Sequence, residues 1–419
     1  MTDRTPAAWR NAPPYFIVTA VTTMMLVTGV NILTPILPAY GRSFGISATE
    51  IGVVVGAFSF GRLLFDVVGG VLADRVGVRT VCLVGCLVTG IASLGAGLAD
   101  SLTPLLVARF LQGLGSALYM SAATTLVMAF LPRSSAGRWL SLYHGIFLTG
   151  LAVGPLVGGL VADAFGLQAP FFAYAVMAGV GAVLTVSRLP TAAQQREQQA
   201  VHRDQGEPDR QRLRTGEALR RLFSNLPFLL LLLVILVLFV MRAGMRNTTV
   251  PLFAEDVLGM GTSMIGMLIT VGAVAQISLM WHAGHLLDRR GRRPVIVTSL
   301  FATAAVVFLF TWATSPWRLL AVMVLLGVFT AYLTAAPNVV LVDVAPPEVR
   351  GTAIGVQRMA TDLGQLAGPV VVGAVQDAAS YTAVFVFTGG CLALVALLCL
   401  LLPETAPRGR GPEGALTEN

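Results

Sequence analysis

The chain contains no lysine, and charged side chains of every kind make up only 12% of its 419 residues. Soluble domains carry about 25% charge and roughly 45–50% apolar residues. Here 55% is hydrophobic and mean hydropathy is +0.78, which excludes a water-soluble fold. Cysteine is scarce as well. Cys82, Cys86, Cys391 and Cys399 fall inside apolar stretches without His or Cys partners at zinc-ligand spacing, so they read as small packing residues and no metal is expected. No glycine-rich phosphate loop is present, which argues against ATP hydrolysis by this chain, and no cofactor is implied. Nor is there a nucleophile, metal cluster or acid–base constellation of the kind a membrane-embedded enzyme needs.

What the sequence has instead is apolar length. Twelve runs of about 20 residues lie near 15–40, 51–73, 80–99, 103–130, 139–163, 169–189, 224–250, 263–287, 294–314, 317–343, 350–376 and 381–402. Each is long enough to cross a hydrocarbon core of about 30 Å as a helix. The first begins at Tyr15, is too long for a signal-peptide core and lacks a small-residue cleavage pattern, so it reads as a retained helix 1. The expected fold is all-α, with twelve transmembrane helices.

All 28 basic residues are arginine, and they set a net charge of +7. Such a balance can signal nucleic acid, but its placement points to topology. With both ends in the cytoplasm, 21 arginines fall inside, from Arg4 and Arg10 through Arg188–Arg221 to Arg408 and Arg410. Only Arg42 and Arg318 fall outside, beside Glu50, Asp100, Glu255 and Asp256. A multi-pass protein of the plasma or inner membrane with cytoplasmic termini is therefore expected, with the lipid bilayer and no nucleic acid as surroundings.

Residues 190–223 break the pattern with a run of Gln, Arg, Glu and Asp, and a short amphipathic helix is expected near Gly216–Phe223. This linker splits the helices six and six. The expected organisation is a tail 1–14, a first bundle 15–189, the linker 190–223, a second bundle 224–402 and a tail 403–419. A shift of 214 residues aligns Gly45 with Gly259, Gly70 with Gly284, Asp74 with Asp288, Pro155 with Pro369 and Asp163 with Asp377, among others. One offset held over about 120 residues marks a duplication. Two pseudo-symmetric bundles related in this way place a site between them, and rocking about it gives alternating access, with a monomer as the default working unit.

Two copies of one loop stand in matching places: Gly70-Val-Leu-Ala-Asp74-Arg75-Val-Gly77-Val-Arg79 and Gly284-His-Leu-Leu-Asp288-Arg289-Arg-Gly291-Arg292-Arg293. Glycine lets helices approach and turn, while the aspartate can cap a helix or pair with an arginine. The loop resembles the signature of the major facilitator superfamily. That resemblance implies a conformational latch formed by Gly70, Asp74, Arg75, Gly77 and Arg79, and more weakly by Asp288 and Arg289. Helix 4 carries Arg109-Phe-Leu-Gln112-Gly113-Leu-Gly115, similar to the family's second motif, whose arginine is linked to proton movement; the alternative is a structural tie. Helix 5 reads Gly150-Leu-Ala-Val-Gly154-Pro155-Leu-Val-Gly158-Gly159, which resembles the motif of the antiporter branch. Its physical content is a kinked face, poor in side chains, that packs closely on another helix. The resemblance covers about 15–402 and points to the twelve-helix drug and metabolite efflux branch. The sequence departs from many proton-coupled exporters in having no acid in helix 1, where Asn31 is the strongly polar group.

Charge inside the spans is rare and costly, at about 2.5 kcal/mol or more per ion, which makes it a functional candidate. Helix 2 holds Arg62 and Asp66, and helix 11 holds Arg358 and Asp362, each pair on one helix face. Family architecture puts these helices side by side and antiparallel. A rise of 1.5 Å per residue then brings Arg62 level with Asp362 and Asp66 level with Arg358. Pairing across the seam when the cytoplasmic side closes, loosened by protonation, would couple protons to rocking; the alternative is pairing within each helix. His144, His282 and His285 face the other seam and could sense pH or simply pack. Intramembrane arginines (62, 109, 242, 246 and 358) exceed intramembrane aspartates by three, which favours a substrate with an anionic or acceptor-rich group. Arg242 is the leading candidate for it. Asn31, Gln276, Tyr332, Asn338 and Gln357 are further cavity candidates by polarity and depth, and Glu255 or Asp256 could neutralise Arg246.

The leading expectation is a secondary active exporter exchanging protons for a small organic compound. Uptake by symport is the second reading. A membrane sensor is a third, disfavoured because the 34-residue linker is too short for a soluble domain.

Overall fold

A computed structural model describes residues 14–130, 136–191 and 215–402. Twelve long helices order the chain. They are α1 (Pro14–Ile32), α2 (Ala48–Val76), α3 (Val78–Gly97), α4 (Leu102–Phe130), α5 (Ala136–Phe165), α6 (Ala169–Arg188), α7 (Leu226–Asp256), α8 (Thr262–Arg290), α9 (Arg292–Leu309), α10 (Pro316–Val344), α11 (Arg350–Ala378) and α12 (Tyr381–Leu398). With no water to satisfy backbone amides in lipid, an apolar run of this length has the helix as its solution. A short amphipathic helix, Thr215–Phe223, precedes α7. The tails 1–13 and 403–419, residues 192–214 of the linker, and Arg133 and Arg138 with them, lie outside the described residues or side chains.

Eleven of the twelve are apolar enough to cross a membrane by composition alone. The exception, α11, spends its length on Arg350, Gln357, Arg358, Asp362, Gln365, Gln376 and Asp377. It tolerates them because α2 and α7 cover it. By contrast Val176 and Val183 on α6, and Leu394 and Leu397 on α12, are more than half exposed, as lipid-facing residues are.

Two predicted helices are interrupted. Helix 1 stops at Ile32 and resumes as Leu37–Arg42, because Pro35 and Pro38 supply no amide donors across that stretch. Helix 7 runs past its expected end at residue 250 to Asp256 by way of a π-helical stretch, Met241–Thr249. Pro251 cannot close a bond to Asn247, and the wider turn re-registers the chain, with the Thr248 hydroxyl donating to the Ala243 carbonyl at 2.9 Å. Gly77 (φ 95°) and Gly291 (φ 92°) make the sharp turns after α2 and α8 in a region where a side chain is strained.

The buried apolar residues fall into separate cores. One draws on residues from Leu26 to Leu189, and another on residues from Ala218 to Cys399. The 214-residue offset reappears in their bonding: Arg79 donates to the Val186 carbonyl, and Arg293 to the Leu400 carbonyl. Each bond ties the start of a third helix to the end of a sixth. The face bearing these turns and the linker is called the linker face below, and the opposite one the distal face.

Candidate functional site

The seam between the two bundles is formed by α2 against α11 and by α5 against α8. Near the distal face both contacts are closed to backbone distance. A Cβ added to Gly52 would overlap the Pro369 carbonyl, one on Gly373 the Ala48 carbonyl, and one on Gly266 the Pro155 carbonyl. The helix 5 motif divides its work between two neighbours. Gly150, Gly154 and Gly158 lie against Thr28, Asn31 and Ile32 of α1, while Pro155 and Gly159 meet α8.

Polar bonds complete this closure with the same twofold logic. Asp377, at the end of α11, accepts from the Ala48 amide at 3.0 Å, the Thr49 amide at 2.8 Å and the Thr49 hydroxyl at 2.6 Å. Asp163, at the end of α5, accepts from the Ser263 amide at 3.0 Å and from the Thr262 hydroxyl. Each carboxylate caps the first turn of a helix in the opposite bundle, where free amides and the positive end of the helix dipole favour it. Beside them Arg42 donates to Asp256 and, at 2.9 Å, to the Tyr381 oxygen, and Tyr381 also donates to Asp256. Burial works against the Arg42 charge, but the hydrogen bond to Asp256 and the field of Tyr381 outweigh it and hold its pKa above the ordinary guanidinium value. Asp256 is thus engaged with Arg42, not with Arg246. Sequence reasoning missed this distal cluster; for Asp163 and Asp377 the signal was their alignment in the repeat.

Toward the linker face the seam parts. A Cβ added to Gly70 or Gly351 on one side, or to Gly145 or Gly284 on the other, would meet nothing within 4 Å among the described residues. Trp281 is 83% exposed, although it projects from α8 in nearly the direction of Thr270, which accepts a bond from the Leu156 amide across the closed half. The molecule is therefore closed at its distal face and open at its linker face.

Where closed and open halves meet lies the charge cluster. Arg62 stands between two carboxylates, with Nη2 3.6 Å from Asp66 and 3.8 Å from Asp362 across the seam. Asp362 is buried, whereas Arg358 is exposed and makes no ion pair within 4.0 Å among the described residues. Arg109 is buried between α2, α3 and α4, donates to Gln112 at 2.7 Å and lies 4.9 Å from the Phe58 ring. Gln112 donates on to Ser93 at 2.9 Å, so this arginine faces its own bundle's interior and not the seam. Arg246 is buried and donates to Gln276 at 3.2 Å, and Arg242 is half-buried near the Phe239 ring. Asn31 donates to the Val27 carbonyl at 2.8 Å, and Tyr332 meets His282 edge to face. Gln357 is half-buried on α11, and Asn338 lies on α10 with its side chain outside the described ones.

In the loops, Asp74 and Arg75 are exposed and so is Arg289. The second copy is tied down: Arg292 bonds Asp343 of α10 at 2.9 Å and lies 3.4 Å from Asp288. The first copy has Val78 in that place and cannot make this clamp.

Two bundles that meet along a closed distal seam and open at the other face, with ionisable groups at the transition, define a membrane carrier. The chain belongs to the Major Facilitator Superfamily, whose family profile matches residues 19–280 and 240–417. It is thus a multi-pass membrane transporter. Among its relatives are multidrug resistance protein MdtG of Citrobacter koseri, 27% identical over 86% of this chain and 87% of that one, and multidrug resistance protein 1 of Bacillus subtilis, 25% identical over 83% and 86%. The solved nucleoside transporter NupG shares the fold, with a TM-score of 0.75 and 14% identity over 93% of this chain and 99% of that one.

Disruption of either distal cap should shift the carrier away from the closed distal state. Loss of a side-chain cap costs about 1 kcal/mol, or roughly fivefold in an equilibrium. Asp377→Ala is expected to raise labelling of a cysteine at Thr49 from the distal side by about that factor, and Asp163→Ala that of a cysteine at Ser263. Unchanged labelling in both would show that the caps do not hold the seam.

Proposed function

We propose that this chain is a proton-coupled exporter of small organic compounds from the cytoplasm, working as a monomer in the cell membrane with its linker face and both termini inside. The observation that carries the reading is Arg62 held between Asp66 and Asp362 at the point where the seam changes from closed to open. In this orientation the molecule faces inward, ready to load. Asp66 and Arg358 lie one turn nearer the linker face, in the same antiparallel register as Arg62 and Asp362. Closing that face brings them together, and Arg62 can then be held by Asp362 alone. A proton on either aspartate weakens one of these arrangements, so protonation biases the rocking.

Kinship with multidrug resistance proteins supports export of organic compounds, and the helix 5 motif, shared between α1 and α8, supports the antiporter branch. Gly70, Asp74, Arg75, Gly77 and Arg79 act as the latch when the linker face closes, and Asp288 and Arg289 do so to a lesser degree, since Arg292 already holds their loop. Arg109 supports the first bundle from within.

The motion is tested by a cysteine pair at Gly70 and Gly351 in a background without native cysteines. A short bifunctional reagent is expected to join them only when distal opening is induced, and to arrest transport when it does. Ready joining in the resting, distal-closed carrier would overturn the assignment. The direction is tested in everted vesicles with an imposed pH gradient, offering organic cations and organic anions in turn: accumulation of at least one of them driven by inward acidity is expected, and flux in the symport direction refutes export.

A further inference from the structure

Arg246 is only 5% exposed, inside a span, and its immediate company is neutral. Its Nη1 donates to the Gln276 carbonyl oxygen at 3.2 Å, Gln276 donates to the Thr334 hydroxyl at 2.8 Å, and Thr334 donates to the Thr330 carbonyl at 2.8 Å. This chain of bonds joins α7, α8 and α10 through the interior of the second bundle. The Arg246 Nε has no hydrogen-bond partner among the described residues. Among the described residues no carboxylate lies within 4.0 Å of Arg246 or of Arg242, which sits one turn toward the linker face. Asp256, the nearest acid but one along the chain, is engaged with Arg42 and Tyr381 on the distal surface.

A buried charge beside a half-buried charge of the same sign within a membrane span, without a counter-ion among the described residues, is costly unless an anion completes the pair. Arg109 is the useful contrast. It too is buried, has an Nε without a partner among the described residues and donates to a glutamine that donates on to a hydroxyl, but it is single, lies under the Phe58 ring and faces away from the seam. The α7 pair is graded instead: Arg242 is half-buried and Arg246 is buried one turn deeper, on nearly the same face of the π-helical stretch. A ligand arriving from the open linker face would meet Arg242 first and Arg246 next. We propose that Arg242, Arg246 and Gln276 form the binding site for an anionic group on the transported compound, a carboxylate, sulfonate or phosphate that a guanidinium grips in a forked geometry. This rests on the exporter reading and narrows its substrate to organic anions.

The test uses the purified full chain in detergent and in liposomes, with salicylate and 1-naphthalenesulfonate as anionic probes and ethidium as the cationic one. Wild type is expected to bind both anions at millimolar concentration or better, read as a rise in melting temperature, and at least tenfold more tightly than ethidium. Arg246→Gln should lose tenfold or more of the anion affinity without weakening ethidium, whereas Arg109→Gln should leave the anion-to-cation ratio unchanged. Should Arg246→Gln fail to fold, Arg246→Lys and Arg242→Gln carry the same comparison. Binding of neither anion, or an unaltered ratio in the α7 variants, overturns the proposal. A pH dye inside the liposomes separates the two readings. Anion flux without proton movement sinks proton exchange alone, and proton-coupled ethidium flux indifferent to Arg246 sinks only the anion site.

Discussion

Replacing Asp362 with asparagine is expected to reduce proton-driven accumulation by roughly 100-fold or more while leaving substrate counterflow, which needs no net proton movement, largely intact. Asp362 is the buried acid of the seam, and Arg62 spans the gap to it at 3.8 Å. Removing one partner of a buried pair leaves the other charge uncompensated, at a cost of about 3–5 kcal/mol. Here Asp66, 3.6 Å from the same guanidinium, softens the structural cost, so the carrier should still fold and still exchange. What asparagine cannot do is release a proton. Asp66→Asn should have the smaller effect on the distal-closed state and the larger one on closing the linker face, because Arg358 then has no acid in register. The check is the ratio of pH-driven accumulation to counterflow in the same liposomes. Wild-type accumulation by Asp362→Asn would remove this carboxylate from coupling altogether.

Much of the architecture was readable before any coordinates, because it rests on forces that act locally. Runs of apolar residues set the helices, and the duplicated loop at Asp74 and Asp288 located matching turns. Helix rise sets Arg62 level with Asp362 only because the family resemblance had already placed α2 antiparallel to α11. What stayed hidden depends on partners far apart in sequence or on local deviations from ideal geometry. Pro251 marks a break in the bonding of helix 7 but does not by itself specify the π-helical stretch that directs Arg246 toward Gln276, and on polarity and depth alone Arg242 was the stronger candidate. Glu255 and Asp256 were plausible neighbours for Arg246 by sequence, yet Asp256 is drawn to Arg42, which belongs to the other bundle. Asp163 and Asp377 were visible as repeat partners. Their bonds to Ser263 and Thr49 were not, since a cap supplied from another bundle leaves no spacing pattern.

A side chain at Gly266 or Gly52 should trap the carrier with its distal face open and abolish transport, with losses of roughly 100-fold or greater for valine. At these positions the seam helices touch backbone to backbone: a Cβ on Gly266 overlaps the Pro155 carbonyl, and one on Gly52 the Pro369 carbonyl. Neither obstacle is the end of a flexible side chain, so relief requires moving a helix. Overpacking of this kind costs about 1–3 kcal/mol in a core that can adjust, and more where only backbone can yield. The cost falls almost wholly on the distal-closed state, because opening separates α5 from α8 and α2 from α11. A substitution that destabilises one state of a two-state carrier shifts the population by its full energy, tenfold for each 1.36 kcal/mol. Gly266→Val should therefore raise distal labelling of a cysteine at Ser263 while suppressing labelling of one at Trp281 from the linker side. Gly179→Val is the control, because a Cβ there has nothing within 4 Å. Equal transport by the Gly266 and Gly179 variants would mean that backbone contact at the distal seam does not limit the cycle, and with it would go the view that small residues of the helix 5 motif, by letting α5 lie flush on α8, make closure of that face possible.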